Sequence, residues 1–302
     1  MGNLRRGVFL LLLLCLVIDI PESYSQIGDN IRFDNISNLD GLPNNSINSI
    51  VQDDLGFIWI GTNDGLCRYQ GTNDVSIYRV NAPAIDGGIE SNSIRTLFKD
   101  SKHNLWIGTR LGGLTKYDHS NDTWKTFRFD PNDANSLSSD EILTIVEDPE
   151  GRIWIGTEDG LNVYDPSFGV FTRFKADIGN PKALQAKAVL SIYIDHQGWL
   201  WTGTWDGGLS LLIPPRSGEL SDSEFKTFHL HDVQAASRVW DIYQSNDQYY
   251  WLSTAGGGLL LMDLPDNANN TTHSADWSPI IQRFNKGGTS KCLTHDDIKD
   301  VV

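Results

Sequence analysis

Four side chains of different chemistry stand at one recurring place in this 302-residue sequence: Asn63, Arg110, Glu158 and Trp205, with Ala255 as a fifth. Each directly follows a near-constant stretch, IGT three times, then TGT and LST. An indole offers a flat apolar face to the ring of a small ligand. An amide, a guanidinium and a carboxylate can hydrogen-bond the ligand's hydroxyls. Varied chemistry on a fixed scaffold is what a binding rim needs; the alternative is a set of ordinary solvated loop residues. Arg95 and Trp240 share a second recurring position, inside an expected strand, from which they would reach a central channel or simply pack.

Other chemistry is thin. His229 and His231 alternate along an expected strand and would share a face, but no third ligand stands nearby and no Cys/His cluster has zinc spacing. No metal and no cofactor are expected. Asp and Glu are plentiful, yet no pair stands out as acid and base. The nearest candidates for a catalytic histidine are His103 and His196, both on expected turns. A formal net charge of −15 disfavours nucleic acid as a partner, because phosphate contact needs clustered Lys and Arg.

What must position these residues is a repeat. Trp59, Trp106, Trp154, Trp201 and Trp251 are spaced by 47, 48, 47 and 50 residues. Six residues before them lie Asp53, Asp100, Asp148, Asp195 and, as a departure, Ser245. Six further back lie Ile47, Ile94, Ile142, Val189 and Val239. Each copy reads as four short strands, A to D. Strand A centres on Ile50, Leu97, Ile145, Ile192 or Ile242, strand B carries the tryptophan, strand C follows a glycine, and strand D carries an aromatic, Tyr78, Phe127, Phe174, Phe228 or Phe284. β-Branched content and period-two alternation support strands, and no helical period competes.

The turns have their own logic. Asp-x-x-Gly at Asp53–Gly56, Asp148–Gly151 and Asp195–Gly198 suits a tight A–B turn in which the carboxylate accepts backbone N–H groups. His103 and Gln248 replace that glycine and should loosen or strain the turn. The B–C turn ends in Gly65, Gly113, Gly160, Gly208 or Gly258. Four antiparallel strands per period of this length predict an all-β fold, a β-propeller, with blades at about 45–80, 92–129, 140–175, 187–230 and 237–284. Apolar strands then bury both faces between neighbours, and the tryptophans become inter-blade wedges. With Asp53, Asp100, Asp148 and Asp195 they form the structural anchors. Residues 31–36 read as an orphan outer strand and 296–302 as the first strand of a sixth blade, so the expectation is an incomplete, open ring from the front of a longer protein.

Arg5 and Arg6, the apolar run Val8 to Ile18, then Pro21, Ser23 and Ser25 form a secretory signal, 1–25, with cleavage after Ser25. An uncleaved anchor is the alternative. Leu14 argues against lipidation of Cys15. Cys67 and Cys292 lie in distant repeats and are read as unpaired.

The run Asp40-Gly41-Leu42-Pro43-Asn44-Asn45-Ser46-Ile47, with Gln52-Asp53, Gly56-Phe57-Ile58-Trp59-Ile60-Gly61-Thr62 and Asp64-Gly65-Leu66, resembles the two-component regulator propeller repeat. The likeness covers residues 31–302. Placed after a signal peptide, it resembles the periplasmic sensor region of hybrid two-component system histidine kinases from glycan-using bacteria. That resemblance implies two successive seven-bladed propellers, a β-sandwich, a membrane helix, a kinase and receiver, and often a DNA-binding domain. It implies a small oligosaccharide ligand, an inner-membrane anchor in the part beyond this chain, and a homodimer when complete. The chain has no phosphoacceptor box and no glycine-rich nucleotide loop, so no enzyme is expected in it. The alternatives are a propeller lyase or hydrolase and a secreted adhesion propeller.

Overall fold

The computed structural model describes residues 35–71, 75–80, 88–215, 219–228, 230, 237–245, 248–264, 279–284 and 299. The signal segment, Cys292, His229, His231 and, apart from Lys299, residues 296–302 lie outside them. Of segment 31–36 only Asn35 and Ile36 are described, and neither is in a strand.

Five four-stranded antiparallel sheets follow one another, each with its strands in chain order. The first holds β1 (Ile47–Gln52), β2 (Ile58–Thr62), β3 (Gly65–Tyr69) and β4 (Val75–Tyr78). The second holds β5 (Ile94–Lys99), β6 (Leu105–Thr109), β7 (Leu114–Asp118) and β8 (Thr123–Phe127). The third holds β9 (Ile142–Glu147), β10 (Ile153–Thr157), β11 (Gly160–Asp165) and β12 (Val170–Phe174). The fourth holds β13 (Val189–Ile194), β14 (Leu200–Thr204), β15 (Leu209–Ile213) and β16 (Glu224–Phe228). The fifth holds β17 (Val239–Gln244), β18 (Tyr249–Thr254), β19 (Gly258–Asp263) and β20 (Ile280–Phe284). The inner strands pack in the order β1, β5, β9, β13, β17, so the sheets are blades of an open propeller arc. No helix among the described residues is long and apolar enough to cross a membrane.

Each blade is held to the next by its anchor indole. Trp59, Trp106, Trp154 and Trp201 are buried. Each meets the aromatic of its own strand D, at 5.4 Å for Tyr78, 6.0 Å for Phe127 and Phe174 and 5.8 Å for Phe228. Three of them also touch an aromatic of the following blade: Tyr117 at 5.5 Å, Tyr164 at 5.7 Å and Tyr250 at 5.2 Å. At about 25 cal/mol per Å², burying ~200 Å² of indole is worth at most about 5 kcal/mol per wedge. Trp251 departs from this. It packs on Phe284 at 5.6 Å but is only half-buried.

The anchor aspartate does two jobs at once. In the first copy Asp53 Oδ1 accepts the N–H groups of Leu55 and Phe57 at 3.0 and 2.9 Å, closing the A–B turn. Its Oδ2 accepts Trp59 Nε1 at 2.8 Å. The same indole bond recurs from Asp100 to Trp106 at 2.8 Å, Asp148 to Trp154 at 2.7 Å and Asp195 to Trp201 at 2.8 Å. The fifth copy has Ser245 in place of the aspartate, and Tyr250 of that blade donates its hydroxyl across the interface to Asp195 Oδ2 at 2.8 Å. Burial and the Asp195 carboxylate push the Tyr250 phenol far above its ordinary range.

Two expectations about local strain are visible. His103 sits at φ +67 where Gly56, Gly151 and Gly198 sit at +88, +79 and +81. At the B–C turn, Gly113 has φ +73 and a Cβ there would lie 2.3 Å from the Phe127 carbonyl oxygen, so both conformation and space demand glycine. One expectation about packing differs. Ile50, the expected centre of strand A in the first copy, is 60% exposed, whereas its counterpart Leu97 is 7% exposed. The counterpart is covered by strand B of the blade before it, and no described blade precedes β1. Cys67 is buried and free, with its thiol pushed up to about 11 by desolvation.

Replacing Asp195 by Asn should cost about 3 kcal/mol, because one amide oxygen cannot serve the turn donors together with the Trp201 and Tyr250 donors. Asp53→Asn, with no cross-blade phenol to serve, should cost about 1–2 kcal/mol. Urea unfolding followed by tryptophan fluorescence measures both; equal losses would mean that the Tyr250 bond contributes nothing.

Candidate functional site: the rim of the B–C turns

Strand A carries a β-bulge in every blade. The register slips between Ile47 and Ser49, Ile94 and Thr96, Val189 and Ser191, and Val239 and Asp241, and in the third blade between the partners Ile142 and Thr144. The residue left out of the ladder is Asn48, Arg95, Leu143, Leu190 or Trp240. A bulge re-aims its side chain and frees it from cross-strand pairing. The expected column of Arg95 and Trp240 is therefore the bulge column.

The residue after strand B is tied beside it by one backbone bond per blade. The amides of Asn63, Arg110, Glu158, Trp205 and Ala255 donate to the carbonyls of Ser46, Ser93, Glu141, Ala188 and Arg238 at 3.0–3.3 Å. Below them Thr62, Thr109, Thr157, Thr204 and Thr254 are buried and donate their hydroxyls to the B–C turn carbonyls at 2.7–3.1 Å. Three variable columns thus share one rim above a uniform floor: the bulge, the residue after strand B, and the residue before strand A. The last of these, Ser46, Ser93, Glu141, Ala188 and Arg238, is as varied as the other two. That variation is the signal by which Glu141 and Arg238 can be found in the sequence.

The rim residues gather in three clusters. In the first, Asn48 Nδ2 donates to Asn63 Oδ1 at 2.8 Å and to the Ile94 carbonyl at 2.7 Å. In the second, Arg95 donates to Glu141 Oε1 at 2.7 Å, and Arg110 Nε lies 3.9 Å from the same oxygen. Desolvation and then the Glu141 charge push the neighbouring Glu158 carboxyl up, against the pull of Arg95. In the third, the rings of Trp205 and Trp240 meet edge to face at 5.7 Å, and the Arg238 guanidinium lies over the Trp205 ring at 3.8 Å. Arg95 and Trp240, on the second and fifth blades, are in different clusters.

The opposite rim, built from the A–B turns, differs in character. Neighbouring turns are clasped by polar bonds: Lys99 to Asp54 at 2.6 Å, Glu147 to Ser101 at 2.6 and 2.7 Å, and Gln244 to the His196 amide at 2.8 Å. Between the third and fourth blades the matching positions are Ile194 and Pro149, and a cleft of about 540 Å³ opens there, lined by Trp199, Pro214 and Pro215 among others. Its arginine, Arg152, is already engaged by Asp148 at 2.6 Å and Glu150 at 3.1 Å. His103 Nδ1 stands 2.5 Å from Asp54 Oδ2, and the Lys99 hydrogen bond, opposed by desolvation and aided by His103, holds the Asp54 carboxyl low. This His–carboxylate pair is exposed on the A–B face, away from the variable columns, and His196 belongs to a different turn. Among the described residues no group of three His, Cys, Asp or Glu side chains is arranged to hold a metal ion.

The two component regulator propeller family model matches residues 41–64, 88–110, 136–159 and 183–206, each running through strands A and B of one of the first four blades. The chain carries two-component regulator propeller repeats. Among solved structures, the regulator propeller is similar to the extracellular domain of BT3049, a B. thetaiotaomicron protein assigned to the hybrid two-component systems. The identity is 22% and the TM-score 0.66, over 89% of this chain and 39% of that one. It is similar in fold to a catalytically inactive virginiamycin B lyase from Staphylococcus aureus solved with quinupristin, at 13% identity and TM-score 0.54, over 79% of this chain and 70% of that one. It is also similar to PorZ, a surface component of the type-IX secretion system of Porphyromonas gingivalis, at 19% identity and TM-score 0.51, over 71% and 32%. The regulator propeller thus spans about two-fifths of the BT3049 domain. No curated protein matches it.

A carboxyl that holds its proton more tightly folded than unfolded costs stability when ionised; the cost is absent below the unfolded pKa and full above the folded one. Glu158→Gln should therefore raise the melting temperature slightly at pH 7.5, and the advantage should shrink as the pH falls through the carboxylate range. Thermal melts at a series of pH values test this; a gain independent of pH would exclude relief of the Glu158 charge.

Proposed function

We propose that this regulator propeller is the ligand-sensing part of an exported, hybrid two-component signalling protein. It binds a small oligosaccharide on the B–C rim, with the kinase, the membrane anchor and the transcriptional output in parts of the protein beyond this chain. The periplasm is its compartment, and the full protein works as a homodimer. One observation carries the reading: three columns of unlike residues, Asn63, Arg110, Glu158 and Trp205 among them, converge on one rim whose supporting threonines, glycines and tryptophans scarcely vary. A fold that keeps its scaffold constant and varies one rim has placed its selectivity there. Amide, guanidinium, carboxylate and indole side by side suit a hydroxylated ring with an apolar face.

The binding reading is favoured over an enzymatic one because the His103–Asp54 pair stands in solvent on the opposite rim and Asp54 already serves as an inter-blade clasp.

Calorimetric titration of the chain against a panel of oligosaccharides tests this. At least one member should bind and be recovered intact. Trp205→Ala and Arg110→Ala should each weaken it about tenfold or more, the scale of one lost ring contact or charge-assisted hydrogen bond. New glycan ends would favour the lyase or hydrolase reading, and binding that survives both substitutions would remove the ligand from this rim.

A further inference from the structure

The three arginines of the rim columns are not equivalent. Arg95 and Arg110 both face Glu141, at 2.7 and 3.9 Å, so their charge is largely spent within the protein. Arg238 has no carboxylate partner among the described residues. Its guanidinium instead lies over the Trp205 ring at 3.8 Å, and the Trp240 and Trp205 rings meet edge to face at 5.7 Å. Stacking on an aromatic face holds a guanidinium without consuming its N–H donors, which lie in its plane and point outward from the stack. Arg238 is half-buried, and the indole Nε1 of Trp240 is a buried donor with no acceptor among the described residues. In a chain of net charge −15, an arginine held over an indole with no counter-charge among the described residues is suited to receive an anion.

We infer that the Trp205–Arg238–Trp240 corner selects ligands carrying an oxyanion, a carboxylate or sulfate, on a hydroxylated ring. The inference rests on the rim reading of the preceding section and deepens it from a small oligosaccharide to an acidic one. The planar fork of Arg238 takes two oxygens of the anion. Glu158 and Glu141, further along the rim, accept from hydroxyls. Arg238 is the specificity-determining residue, while Trp205 positions its guanidinium. The arrangement also corrects a simpler expectation for Trp205: one face of its indole is covered by the guanidinium, so the indole serves the ligand partly through Arg238.

The test uses the full chain and matched trisaccharides: galacturonate, glucuronate and sulfated galactose forms, each against its neutral counterpart of the same linkage, with sodium acetate and sodium sulfate as free-anion controls. One acidic trisaccharide should bind at least tenfold tighter than its neutral partner. Arg238→Gln should bring that ratio close to one, weakening the acidic form about tenfold more than the neutral one. Arg238→Lys, which keeps the charge but loses the planar fork, should retain an intermediate preference. Circular dichroism and tryptophan emission confirm that each variant is folded. Equal binding of acidic and neutral forms by the unsubstituted chain, or a preference that persists in folded Arg238→Gln, overturns the inference and leaves the rim reading standing. Binding of free acetate or sulfate as tight as the trisaccharide would also overturn it, since the ring would then add nothing. If no trisaccharide binds and Trp205→Ala changes nothing, both readings fail together.

Discussion

One carboxylate in each of the first four blades holds the architecture together. The anchor aspartate closes the A–B turn with one oxygen and fixes the wedge indole with the other, so the turn that ends strand A and the side chain that meets the next blade are set by the same group. A buried indole needs an acceptor for its N–H, and a buried carboxylate needs donors for both oxygens. Each meets the other's need at a separation of six positions in sequence. The wedge can then be fully buried against the neighbouring blade without leaving an orphaned polar atom. The fifth copy has no aspartate at this place; its Tyr250 instead donates its hydroxyl to Asp195 of the blade before it, which adds a polar tie between the two blades.

Much of this was legible in the residues. Three fixed registers, the glycine at the end of each B–C turn and the aromatic on strand D place the four strands of each blade in the order observed. The role of Asp53 as a turn cap was also readable. Its second bond, to the indole, was not: a spacing of six says nothing about which oxygen faces which donor until the hairpin is built. The exposure of Ile50 was equally hidden, since a strand pattern cannot say whether a neighbouring sheet is present.

The candidate site was half legible. Asn63, Arg110, Glu158 and Trp205 stand out because their neighbours are constant, and Arg95 and Trp240 because they are large polar or aromatic side chains in an apolar strand. That these sets share a rim follows from the bulge, which leaves no mark on hydrophobic periodicity. Glu141 and Arg238 stand in a third column, before strand A, which varies just as much but joins the rim only through the backbone bond from the residue after strand B. The contact between Arg95 and Glu141 spans 46 residues and two blades, and only the curvature of the arc brings it about.

The bulge also bears on how such a protein can change. A residue outside the ladder has no cross-strand partner to match and no register to preserve, so asparagine, arginine, leucine and tryptophan all occupy that place within a single chain. Selection can exchange these side chains one at a time while the fold's stability margin stays nearly constant. A lineage of such domains would diversify in what it recognises far faster than in how it folds, which makes overall sequence identity a poor guide to shared ligand.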